Sequence, residues 1–105
     1  MSVEFKSSII YGYDCSDLIE KLSFEELEEL EEIGWDYIRD CYSDNFLYIG
    51  IKISDVYCGD ERRINVFKAM NSSVQKFAEL LHKTPDKYKS LFPLSGSLYH
   101  ICYAV

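Results

Sequence analysis

A chain of 105 residues makes one ordinary domain, and with 48% hydrophobic and 15% aromatic residues it has the material for a real core. A formal net charge of −7 sets it against nucleic-acid phosphate and anionic lipid, so direct binding of DNA or RNA through a basic surface, and adhesion to a membrane, are not expected. The balance is uneven: residues 1–60 hold 15 acids and 4 bases, and residues 61–105 hold 3 acids and 7 bases, among them Arg62, Arg63, Lys68, Lys76 and Lys83.

The start, Met1-Ser-Val-Glu-Phe-Lys6, has no apolar leader, and no run of 18 apolar residues follows. Cys15, Cys41, Cys58 and Cys102 are too far apart for CxxC-type pairs and are read as reduced, mostly buried thiols of a cytoplasmic protein. Ser8–Tyr13 is a first strand by its β-branched and aromatic content. Asp14 or Ser16 then caps a short helix carrying Leu18, Ile19 and Leu22. Ser23 and Glu26 form a capping box that starts a second helix, with Phe24, Leu27, Leu30 and Ile33 on one arc. Gly34 ends or weakens it, and Trp35–Cys41 is either its last turns or a separate segment.

Asn45–Ser54 alternates as a strand, with Leu47, Ile49, Ile51 and Ile53 on one side and Tyr48, Gly50, Lys52 and Ser54 on the other. Asp60 caps a long helix with Ile64, Phe67, Met70, Val74, Phe77 and Leu81 at steps of three and four; Asn71-Ser-Ser73 is a candidate break. Pro85 stops it, Asp86–Phe92 adds one helical turn, and Ser97–Val105 is a last strand, apolar on both faces. The expected fold is a single α+β domain over residues 1–105, in the order β-α-α-β-α-β, with about three strands and helices on one face.

Catalytic chemistry finds little to work with. His100 and Cys102 make at best half a zinc site. Cys15 sits near a helix start but between Asp14 and Asp17, whose charge raises a thiol pKa. Asp14 and Asp17 read more simply as caps, and Gly12 and Gly50, each alone in a strand, mark a bulge or a close backbone approach rather than a phosphate cradle. No catalytic residue, metal or cofactor is expected.

The second helix is the unusual element. Glu25, Glu28, Glu29, Glu32 and Asp36 project within about one quadrant opposite its apolar arc, and Asp40 extends the row if the helix continues. No lysine or arginine interrupts residues 22–38, although like charges four apart destabilise a helix. Neighbouring acids there stand about 5–6 Å apart, comparable to DNA phosphates, so the row suits a basic cleft that ordinarily takes nucleic acid. Charge runs are also common on merely solvated helices. In size, acidity, tyrosine content and the run Glu25-Glu-Leu-Glu-Glu-Leu-Glu-Glu32, the chain resembles the small anti-CRISPR and anti-restriction DNA mimics that phages encode, and acidic immunity proteins that block nuclease toxins. That resemblance implies a non-catalytic inhibitor with a basic, nucleic-acid-binding protein as partner, acting in a host cytoplasm if phage-encoded.

Nine tyrosines leave a second surface open. Tyr11, Tyr13 and Tyr48, joined by Tyr99 or Tyr103, are expected to share the less buried sheet face with Lys52, where they would bind a partner or a second copy. From these tyrosines, with Arg62 and Arg63, comes the alternative of a dimeric protein that binds a small anion or nucleotide.

Overall fold

The computed structural model describes residues 4–40, 42–93 and 95–105. Among them the elements run β1 (Phe5–Asp14), a 3-10 turn (Ser16–Leu18), α1 (Phe24–Ile33), β2 (Asp36–Arg39), β3 (Leu47–Tyr57), α2 (Val66–Lys83), α3 (Asp86–Lys89) and β4 (Ser97–Ala104). The four strands form one antiparallel sheet in the order β2-β3-β1-β4. The α+β class holds. The count of three strands does not, because the segment after Gly34 is a strand and not the tail of the acidic helix.

Gly34 explains that change. Its φ of 129° is one that side-chain-bearing residues rarely adopt, and its N–H closes the helix onto Leu30 and Glu31 carbonyls. Trp35 and Ile38 are then free to turn inward, and Asp36–Arg39 pairs with Gly50–Leu47. The capping box at the other end of α1 is present in full: Ser23 Oγ accepts from the Glu26 N–H at 3.2 Å, and the Glu26 carboxylate accepts from the Ser23 N–H at 3.1 Å. The expected short helix after β1 is one 3-10 turn, with Asp14 accepting from the Ser16 N–H and hydroxyl.

The main core lies between the sheet and the helices. Leu47, Ile49 and Ile51 of β3 and Tyr13 of β1 meet Leu18, Leu22, Leu27, Leu30, Trp35, Phe77, Leu80 and Tyr88. Trp35 donates from Nε1 to the Thr84 hydroxyl at 2.8 Å, and that hydroxyl donates to the Leu80 carbonyl at 2.6 Å, so the buried indole N–H is satisfied. On the opposite sheet face, which we term the open face, Ile10, Ile38 and Tyr103 form a smaller cluster with Phe46, Tyr48, Tyr99 and Ile101.

Strands β1 and β3 touch backbone to backbone where Gly12 faces Gly50. A Cβ on either would stand 2.2 Å from a carbonyl oxygen of the other strand. The close-approach reading of these two glycines is the correct one. Further along, the register slips: Ile10 pairs with Lys52 but Ile9 with Ser54, so Ile53 is an extra, bulged residue. Beyond it the expected alternation reverses. Ser54 is buried opposite Ile9, and Asp55 opposite Ser8 joins Lys52 on the open face.

Helix α2 is continuous through Asn71-Ser-Ser73 and is capped by Asn65, whose Oδ1 accepts from the Lys68 N–H at 3.1 Å, rather than by Asp60. Its buried row is Ser73, Phe77 and Leu80. Of the expected apolar stripe, Phe67 and Val74 are exposed.

Candidate functional site

Helix α1 packs beside β2, at one edge of the sheet, with Leu27 and Leu30 buried in the main core. Glu25, Glu28, Glu31 and Glu32 are exposed. Glu25, Glu28 and Glu32 form no ion pair among the described residues. Glu29, in the middle of the expected row, is already committed: its Oε2 accepts from the Tyr88 hydroxyl at 2.6 Å and lies 3.5 Å from Lys87 Nζ. That hydrogen bond, with the Lys87 charge, holds its carboxyl below the usual range. Burial first, then the nearby Glu31 charge, raises the Tyr37 pKa. Phe24, at the first turn, is exposed and carries the Arg39 guanidinium 4.5 Å above its ring.

Asp36 and Asp40 do not belong to this face. Asp36 is on β2, and its Oδ2 accepts from the Lys52 N–H at 2.8 Å. Asp40 follows β2 and accepts from the Ser43 hydroxyl and from the N–H groups of Tyr42, Ser43 and Asn45, which lower its pKa to about 2. Both place backbone, because α1 stops at Gly34 and the helical projection beyond it has no meaning. Cys41, at the end of that expected helical segment, lies outside the described residues.

Nor do the three tyrosines share one surface. Residues directly opposite in an antiparallel pair point the same way, and Tyr11 opposes Ile51 and Tyr13 opposes Ile49. Both therefore lie under the helices, with their rings about 5 Å from Phe77. Tyr48 is on the open face, 5.0 Å from Tyr99. The sequence missed this because Ile9–Tyr13 is apolar on both sides and sets no phase.

The open face contains instead a charged cluster that sequence reasoning missed. Asp55 accepts from the Ser8 hydroxyl, from Tyr103 at 3.0 Å and from Lys6 at 3.2 Å, with Lys52 Nζ at 3.5 Å. Desolvation pushes its pKa up, but these donors and the Lys52 charge outweigh it and hold the carboxyl at about 2. With two lysines to one carboxylate the cluster has a formal charge of +1, and no signal short of the bulge could reveal it. A groove of about 650 Å³ along β2 mixes Lys6, Arg39 and Lys52 with Glu31, Asp36, Asp40 and Asp44, with no single sign of charge.

Cys15 is buried, and burial, with the Asp14 charge, pushes its thiol up to about 12, so it holds its proton at neutral pH. Cys58 and Cys102 are exposed, contrary to the expectation of mostly buried thiols. His100 shares a face with Cys102 and is hydrogen-bonded to Ser7 at 2.6 Å. Among the described residues no three metal-ligating side chains come together, and no helix is long and apolar enough to cross a membrane. No family model, curated protein or solved structure matches the chain.

Proposed function

We propose that the protein is a non-catalytic inhibitor whose acidic α1 face enters a basic cleft of a nucleic-acid-processing or defence enzyme and competes there with nucleic acid. The observation that carries this reading is the row Glu25, Glu28 and Glu32, exposed on one helix and without ion pairs among the described residues. Glu31 stands beside it, and Glu29 anchors α1 to Tyr88 instead of meeting the partner. The preformed helix presents these charges without a backbone ordering cost on binding, and their field favours fast, salt-sensitive association. The resemblance to phage-encoded DNA mimics and nuclease immunity proteins points to the same partner class.

The test is a triple variant, Glu25→Lys, Glu28→Lys and Glu32→Lys. All three side chains are exposed, so the fold is expected to survive, as judged by circular dichroism. Binding to the partner recovered from the native cell is expected to be lost, and wild-type affinity to fall steeply as salt rises. Undiminished binding by the folded variant, or affinity indifferent to salt, removes the proposal.

A further inference from the structure

We infer that the protein self-associates through β4, two copies pairing antiparallel along its free edge to make one continuous eight-stranded sheet. The sheet has two edges, and they differ. At one, β2 is four residues long and carries Asp36 and Arg39. At the other, β4 is eight residues, Ser97-Leu-Tyr-His-Ile-Cys-Tyr-Ala104, pairs among the described residues only with β1, and has no lysine, acid or proline. Unguarded edges of that length template strand addition.

The layer above the edge is unfinished in a way that a second copy completes. Helix α2 covers β3 and β1, while Leu98, His100 and Cys102, on the helix side of β4, stay exposed. On α2, Ala69 and Ser72 line a groove with Ile53 of β3, which fixes that flank on the β3 side. Phe67 and Val74 lie roughly 100° round from the buried row, on the opposite flank, toward β4. Phe67 is 85% exposed, Leu98 50% and Val74 46%. An apolar helix flank therefore overhangs an uncovered strand.

A two-fold axis normal to the sheet keeps helix sides together, so even-numbered β4 residues oppose even-numbered ones and Leu98 meets the other copy beneath the two α2 flanks. The open-face row Tyr99, Ile101 and Tyr103 continues across the joint. Phe67, Val74 and Leu98 expose about 300 Å² per copy on the usual areas of such side chains. Two copies bring about 600 Å², to which the paired strand edges add, toward the roughly 1,000 Å² that a specific interface needs. Charge does not oppose it: the acidic helix sits by β2, at the far edge, so the two α1 faces end up on opposite outer sides. The inference is independent of what α1 binds.

Sedimentation equilibrium of the full chain, together with amide exchange of β4 at low and high concentration, tests it. A dimer is expected, with outward-facing β4 amides protected more strongly as concentration rises. Phe67→Asp with Leu98→Asp, both at exposed positions, should weaken association more than about tenfold by placing like charges across the axis. A monomer at every concentration, a dimer whose β4 amides remain unprotected, or a folded double variant that still dimerises would each overturn it. If the double variant does not fold, wild-type exchange decides.

Discussion

Replacing Asp55 by Asn would expose how much the bulge-built cluster on the open face contributes to stability. The carboxylate accepts from Ser8, Tyr103 and Lys6 and faces Lys52. Its pKa stands at about 2 instead of the ordinary 3.8, a difference equivalent to about 2 kcal/mol. Because the folded value is the lower one, that stabilisation is fully present above about pH 4 and is lost as pH falls through about 2. Asn retains an acceptor for the two hydroxyls but leaves Lys6 and Lys52 without a counter-charge. Urea unfolding at a series of pH values measures the difference between wild type and Asp55→Asn, in which the other carboxylates largely cancel. The variant should be less stable by about 2 kcal/mol at pH 7, and the gap should close between pH 4 and pH 2. A gap that is absent at neutral pH, or that persists unchanged at pH 2, would falsify the assignment of the low pKa to this cluster.

Gly50→Ala should cost roughly 3 kcal/mol or more, because its Cβ meets the Tyr11 carbonyl and the β1 backbone cannot yield as a side chain would; chemical denaturation checks this. Trp35→Ala should cost about 3–5 kcal/mol, and Trp35→Phe less, since the ring contacts with Phe77 and Phe92 are partly kept while the bond to Thr84 is lost. Native thiol labelling followed by mass mapping should modify Cys58 readily and Cys15 only after unfolding; rapid native labelling of Cys15 would contradict its burial.

The long, strongly patterned elements were legible in the sequence, and the reasons are local. The capping box at Ser23 and Glu26, the alternation of Leu47–Ile51 and the stop at Pro85 each act within a few residues. What could not be read depended on partners. Tyr37 and Ile38 fit the phase of α1 as well as that of a strand, and only pairing with β3 decides, which removes Asp36 and Asp40 from the acidic face. Tyr11 and Tyr13 take their side from Ile51 and Ile49 across the sheet. The stripe on α2 was visible, but how far round the helix the sheet would cover it was not. Among the acids of α1, only contact with Tyr88 and Lys87 separates Glu29 from its neighbours.

The bulge at Ile53 also bears on how β3 tolerates changes in length. It behaves as a frameshift in the alternation of faces: counting from Leu47 is right up to Lys52 and wrong afterwards. A chain lacking Ile53 would join Lys52 directly to Ser54 and keep all nine β1–β3 pairs on their present sides, Asp55 among them. Such a deletion is expected to leave the circular dichroism spectrum and cooperative unfolding intact. Loss of one residue between Leu47 and Lys52 would instead drive the core-facing half of the strand through to the open face.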